Sequence, residues 1–353
     1  MTGPTLLLDL GAFAENVRTL AALAAPARTM VAVKADAYGH GAVEFARAAL
    51  EGGADSLAVL EVPAGLRLRA AGIDVPLFAW LHGVETDFAS AVAARIDLGV
   101  SSRAELARVV AGARSEGAPA AVHLKIDTGL HRNGASPGDW PALVAAAREA
   151  EEAGSVRIEA LWSHLADASP EADAAALAEF QAAVAVAAGL GVEPPLLHLA
   201  ASSAGIREPE ARFGLVRFGI AAYGVSPFDD VDGRGLGLRP TMTFRAPVLA
   251  LDGGIATLGA GSADGVAPVA AGSGASVWIE GARRDVVDVD VDTMRVRVDP
   301  DAGGRVTVGD VATLFGPGDD GEPTAEEWAA WAGTIGDEII AHTSHRAARV
   351  YRD

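Results

Sequence analysis

The chain contains no cysteine. Disulfides, thiolate metal sites and a cysteine nucleophile are therefore excluded. Positive charge is scarce: 28 Lys and Arg stand against 47 Asp and Glu, a net charge of −19. A field that negative opposes phosphate backbones and anionic lipid, which argues against nucleic-acid and membrane-surface roles. No apolar run is read as reaching the ~20 residues that span a bilayer. The N-terminal MTGPTLLLDL lacks the basic region of a signal peptide. A soluble cytoplasmic protein is expected. Lysine is almost absent too, with Lys34 and Lys125 the only two among the 28 basic residues. A GC-rich genome replaces surface lysine by arginine, but a lysine that survives that drift marks a need arginine cannot meet. Lysine can deprotonate and form an imine; arginine stays charged.

What is present is a 353-residue chain, half of it apolar, long enough for one large or two ordinary domains. Short β-type apolar runs recur at 30–35, 56–62, 76–80, 96–100, 121–127, 158–165, 196–200 and 215–224. Helical-period segments such as 42–54, 103–116, 141–153 and 171–188 lie between them. Eight strands alternating with helices predict a closed parallel (β/α)8 barrel of the TIM type, an α/β fold. An open doubly wound sheet is the alternative. After about residue 238 the pattern becomes β-type runs broken by glycine-rich turns: 241–251, 255–258, 276–279, 286–298 and 310–315. The period-two stretch 287–292 reads as part of a half-exposed strand. Only 325–332 reads as helix there, and the acidic turn 318–322 as a solvated loop. The expected domains are a barrel over 11–235 and a mostly β C-terminal domain over 236–353, which the strand in 1–10 can join.

Lys34 closes the first barrel strand in Val-Ala-Val-Lys-Ala-Asp-Ala-Tyr-Gly-His-Gly, residues 31–41. Barrel catalytic groups sit at C-terminal strand ends, and a partly desolvated lysine there is prepared for imine chemistry. The seventh and eighth strands end in small-residue loops, at 198–205 and 216–220, whose free N–H groups suit a phosphate. An amine at strand one and a phosphate cup at strands seven and eight describe a phosphorylated carbonyl ligand, which pyridoxal phosphate is.

The motif VAVKADAYGHGA resembles the lysine signature of the alanine racemases, pyridoxal-phosphate enzymes of fold type III. KIDTGLHRNG (125–134), WSHLA (162–166), HLAASSA (198–204) and VRFGIAAYG (216–224) resemble later motifs of that family, in order. LLLDLGAFAENV and RAARVY resemble its termini. The resemblance implies that Lys34 carries the cofactor as an imine and is one of two catalytic bases. It places Tyr38, Ser202, Gly219 and Ile220 at the phosphate, Arg217 at the pyridine nitrogen and His164 behind Arg217. It places Arg132 near the substrate carboxylate. Lys125 matches a lysine that is carbamylated in some members; an ordinary pair with Asp127 is the other reading. A homodimer that shares its active sites is implied, with no metal.

The resemblance breaks in the β domain. The family's second base is a tyrosine in a Gly-Tyr-x-Asp-Gly loop given by the other subunit; here Ser262 stands in its place, between Gly261 and Asp264-Gly265. A serine hydroxyl is a poor base without an activator. Asp337 stands where a phosphate-touching tyrosine is expected, Asp290-Val291-Asp292 where a Met-Asp pair is, and Val266-Ala-Pro where Tyr-Pro-Arg is. Three readings follow: an amino-acid racemase with an altered second base, Ser262 or a water; a one-base lyase, aldolase, decarboxylase or transaminase acting on a larger amino acid; or a non-catalytic pyridoxal-phosphate-binding paralogue.

Overall fold

The structure, a computed structural model, describes residues 3–299, 304–343 and 345–353. It forms two compact units: Leu20–Lys34 with Ala49–Gly219, and Met1–Thr19 with Ala35–Ala48 and Ile220–Asp353.

The first unit holds a parallel eight-stranded sheet in the order Leu196–His198, Val156–Trp162, Ala120–Lys125, Asp97–Val100, Leu77–Ala79, Ser56–Val59, Arg28–Ala32, Leu215–Phe218. The two outermost strands are tied by Gly214 N–H to Leu197 O at 3.2 Å and Arg217 N–H to Ala200 O at 3.1 Å, which closes the barrel. Its strands are mostly apolar because helices cover the outside and side chains fill the inside. Met30, Ala32, Ala58, Phe78, Trp162 and Leu215 pack together there. Helices begin where the sequence caps them. Ser102 accepts from Glu105 N–H ahead of Arg103–Glu116, which ends at Gly117 with φ 73°. Ser169 accepts from Ala172 N–H ahead of Pro170–Gly189. That helix corrects one expectation: by length and composition alone it is apolar enough to cross a membrane. Its Asp173, Ala176, Phe180, Ala183 and Ala187 are buried, and Trp140 donates from Nε1 to Ala183 O at 2.8 Å.

The second unit is built on a mixed eight-stranded sheet. Its order is Ile255–Leu258, Met294–Arg297, Ala282–Val289, Ser276–Ile279, Val311–Phe315, Met242–Asp252, Thr5–Asp9, Ala348–Arg352. Thr5–Asp9 runs antiparallel to Met242–Asp252 and parallel to Ala348–Arg352. Met242–Asp252 also pairs with Ile255–Leu258, with a bulge between Val248 and Ala250.

Three readings of this unit are corrected. The run 286–298 is two strands, because Asp290 N–H bonds Thr293 O at 2.8 Å and the Asp290 carboxylate holds Val291 N–H at 2.8 Å, a turn that reverses the chain. The helix Gly336–Ala341 escapes a periodicity argument at six residues. The acidic turn is not simply solvated: Glu322 is buried and accepts from Gly318 and Asp320 N–H at 2.9 Å each, while Asp319 pairs with Arg239.

Candidate active site

The first barrel strand ends at Ala32, and Val33 N–H still bonds Ala58 O at 2.8 Å. Lys34 therefore lies just past the strand rather than on its last residue. It opens a left-handed turn: Ala35, Asp36, Ala37 and Tyr38 have φ of 52°, 54°, 55° and 49°. Each such residue costs about 1–2 kcal/mol in this region, so the turn must be held. Asp36 accepts from Ala42 N–H at 2.9 Å and pairs with Arg349 at 2.9 Å. The fully buried His40 donates from Nδ1 to Ala37 O at 2.9 Å. Burial pushes the His40 imidazole down to about 4, so its Nε2 is an acceptor, 3.0 Å from Thr241 Oγ1. Backbone strain of this kind gathers at functional sites.

Arg217 is buried in the barrel. Its Nη1 donates to His198 Nδ1 at 2.9 Å, and its Nη2 faces Ser163 O at 3.0 Å, Leu199 O at 2.9 Å and His164 Nδ1 at 2.9 Å. Burial and then Arg132 push it down to about 9, so it stays charged at neutral pH. Burial, then Arg217, Arg132, Lys125 and Lys34, hold His164 well below the usual imidazole range, which keeps it neutral. Arg217 Nε–H has no hydrogen-bond partner among the described residues. His198 stacks on Trp162, 5.5 Å between centroids at 10°, and its Nε2 lies 3.0 Å from His123 Nδ1. His123 Nε2 is in turn 3.6 Å from Asp97 Oδ2. Sequence reasoning assigned neither His198 nor His123 a role. The one signal for His123 is a polar residue inside the otherwise apolar stretch 121–124.

Lys125 is buried, with Nζ bonded to Asn133 Oδ1 and 4.6 Å from the centre of the Trp162 ring. Burial, then Arg132 and Arg217, push it down to about 7, against the pull of Asp127. The ordinary Lys125–Asp127 pair does not form. Asp127 instead builds the loop after this strand: it accepts from Gly129 N–H at 3.1 Å and His131 N–H at 3.0 Å, and faces His131 Nδ1 at 3.0 Å. Gly134, φ 118°, lets the loop return, since a Cβ there would lie 2.7 Å from Asp127 N. Arg132 rides on this loop, exposed and without a partner among the described residues.

Ser202 is buried at the start of Ser202–Arg207 and accepts from Gly219 N–H at 3.0 Å. Ile220 opens the turn Ile220–Tyr223. In the second unit Tyr38 is buried against Tyr223, 4.8 Å between ring centroids. Burial and then the charge of Asp337 push the Tyr38 phenol up, so it is a donor at any working pH.

The chain matches the family models for the alanine racemase N-terminal domain over residues 8–227 and C-terminal domain over residues 244–351. The chain belongs to the alanine racemase family. It is 41% identical to an alanine racemase of Thermobifida fusca over 98% of this chain and 96% of that protein. The solved alanine racemase of Streptomyces coelicolor A3(2) superposes with a TM-score of 0.95 at 40% identity, covering 99% of this chain and 98% of that one. A Bacillus anthracis alanine racemase solved with bound L-Ala-P gives 0.87 at 26% identity, covering 100% and 96%.

Enzymes of this family use pyridoxal 5'-phosphate. The residues present fit that group. Lys34 is an amine just past the first strand, Ser202 and the Gly219 backbone offer polar groups for a phosphate, and the spare Nε–H of Arg217 suits a ring nitrogen that only accepts. The loop Gly261–Gly265 keeps its frame. Ser262 and Ala263 N–H bond Asp290 O and Val291 O at 2.9 Å each. Asp264 is buried, accepts from Gly261 N–H at 3.0 Å and meets Arg346 at 3.3 Å. Ser262 itself is exposed, and its hydroxyl has no partner among the described residues.

Proposed function

We propose that this chain is a pyridoxal-phosphate-dependent amino-acid racemase of slow inversion, in which Lys34 handles the α-proton on one face and Ser262 is not an efficient base on the other. When bound, pyridoxal phosphate supplies the electron sink that makes the α-hydrogen removable. Lys34 holds the cofactor and moves the proton. Tyr38, Ser202, Gly219 and Ile220 bind the phosphate. Arg217 donates to the ring nitrogen without surrendering a proton, because a guanidinium pushed down only to about 9 still holds its proton more tightly than a pyridine nitrogen does. Arg132, charged and unpaired, takes the substrate carboxylate.

The observation that carries this reading is the surrounding of Arg217: four acceptors, three of them sharing Nη2, lock a buried guanidinium and leave its Nε–H free of a partner among the described residues. Ser262, exposed and with no basic partner, favours a second reading, in which only the Lys34 face is used and the product is not the mirror image. The retained loop frame at Asp264 supports a homodimer in which each copy lends this loop to the other. Val266 and Val291 remove bulk from that loop and its neighbouring turn, so a substrate larger than alanine is accommodated. The protein works in the cytoplasm. Screening amino acids for a change in the visible absorption of the bound cofactor, then identifying the product from the responder, tests the assignment; no response to any amino acid would defeat it.

A further inference from the structure

A cavity of about 320 Å³ opens at the end of the barrel away from Lys34. Arg28, Ser56, Asp97, Leu196 and Leu215, which line it, each begin a barrel strand, whereas Lys34 lies past a strand's end. The volume suits a small molecule, at the low end of the range of about 300–1,000 Å³ for ligand pockets. Charge on this face is mostly committed. Arg69 donates to the carbonyls of Ile73, Val75, Ala94 and Arg95. Arg95 pairs with Asp74, Arg157 with Glu159, and Asp55 accepts from Thr29 N–H at 2.8 Å. Three polar groups are left over. Ser56 is 4% exposed, and its Oγ has no hydrogen-bond partner among the described residues. The Arg28 guanidinium makes no hydrogen bond or ion pair among them. The Asp97 carboxylate accepts no hydrogen bond among them. His123 Nε2 stands 3.6 Å from it, beyond hydrogen-bond reach, and Arg69 and Arg157 feel its charge from farther off.

The pleat turns all three inward. Ser56 is in register with Met30 and two residues before Ala58, Arg28 is in register with Leu215, and Asp97 with Phe78. Met30, Ala58, Leu215 and Phe78 all pack inside the barrel. The strands of Arg28 and Ser56 are neighbours, and that of Asp97 stands two places beyond the Ser56 strand. Donors and acceptor thus sit on different sides of the mouth, over the apolar side chains of Met30, Leu196 and Leu215. A lone anion at Arg28 leaves Asp97 unmatched, and a lone cation at Asp97 leaves Arg28 so. A zwitterion matches both. We propose that this end of the barrel is a second, non-catalytic site for a small aliphatic amino acid, its carboxylate held by Arg28 and Ser56 and its ammonium by Asp97. An occupant at Asp97 abuts the row that runs through His123 and His198 to Arg217.

The test is calorimetry of the holoenzyme after borohydride has fixed the cofactor to Lys34, which closes the catalytic site to amines. The probe is α-aminoisobutyrate, a zwitterion with no α-hydrogen to remove; isobutyrate and isopropylamine carry one charge each. α-Aminoisobutyrate is expected to bind once per chain, and each single-charge probe at least about 10-fold more weakly. Arg28→Ala and Asp97→Asn should each weaken the zwitterion by about 10–100-fold, the worth of a charged hydrogen bond, and Ser56→Ala by about 2–10-fold. Arg28 is exposed, asparagine copies the shape of aspartate, and alanine removes an unpaired hydroxyl. Unfolding midpoints of the three variants should therefore not fall, which separates lost binding from lost fold. Equal affinity in wild type and all three variants, or no heat from any probe, would overturn the proposal. So would single-charge probes that bind as tightly as the zwitterion. Protein that holds no cofactor is titrated untreated, so failure of the racemase reading does not decide this result.

Discussion

Arg217 Nη1 donates to His198 Nδ1 at 2.9 Å, and that bond fixes the protonation of a buried row of groups. A guanidinium only donates, so His198 Nδ1 is bare and its proton lies on Nε2. That proton is given to His123 Nδ1 at 3.0 Å, which leaves His123 Nε2–H directed to Asp97 at 3.6 Å. Burial and then Arg217 hold His198 well below the usual range, which agrees with its being neutral.

His198→Phe keeps a flat ring against Trp162 and removes the acceptor. Arg217 then has an unpaired buried N–H, a loss of about 1–3 kcal/mol. Urea unfolding should show the midpoint fall without a change of slope. An unchanged midpoint would mean that the bond adds nothing.

Lys125 makes stability depend on pH. The native amine, pushed down to about 7, loses its proton while the unfolded one keeps it up to about 10. Between those values the unfolded chain binds more protons, so stability rises with pH, by ~2–4 kcal/mol across the window. Lys125→Met should flatten that part of a pH series of unfolding midpoints. A neutral amine at pH above about 7 also meets the requirement for carbamylation. Labelled bicarbonate should give a carbamate carbon signal that Lys125→Met lacks and that fades below neutral pH.

Arg132→Ala removes a charged, unpaired guanidinium. The Michaelis constant should rise about 10–100-fold, the worth of a charged hydrogen bond, with the unfolding midpoint unmoved. A Michaelis constant equal to that of wild type would place the substrate carboxylate elsewhere.

Much of this was legible in the residues. The barrel strands are mostly apolar runs, and Ser102, Ser169 and Gly117 mark helix ends by the hydrogen bonds they make. The motifs singled out Lys34, His164, Ser202 and Arg217, and the structure brings His164 and Arg217 together at 2.9 Å. What stayed hidden depends on contacts across the chain. His123 and His198 are 75 residues apart, and nothing in either strand announces that their rings meet. The left-handed turn at 35–38 has alanines and an aspartate where glycine would be the signal. Lys125 chose Asn133 over Asp127 because Asp127 is occupied by its own loop.

Ser262→Ala removes a hydroxyl that is exposed and unpaired. Turnover should stay within about twofold of wild type, since a hydroxyl with no activator contributes little as a base. A loss of about 100-fold or more, the effect of deleting a true general base, would make Ser262 the second base after all.

The division of labour between the two faces of the substrate is tested most directly in deuterated water. L-alanine and D-alanine, and any larger amino acid that perturbs the cofactor spectrum, are each incubated with wild-type enzyme, and α-deuterium and inversion are followed together by NMR and chiral chromatography. Lys34 without a tyrosine opposite should exchange the α-hydrogen of one enantiomer fast and invert it slowly, the missing base costing about 10²–10⁴-fold. Inversion as fast as exchange, from both enantiomers, would contradict this and show that another group serves the Ser262 face.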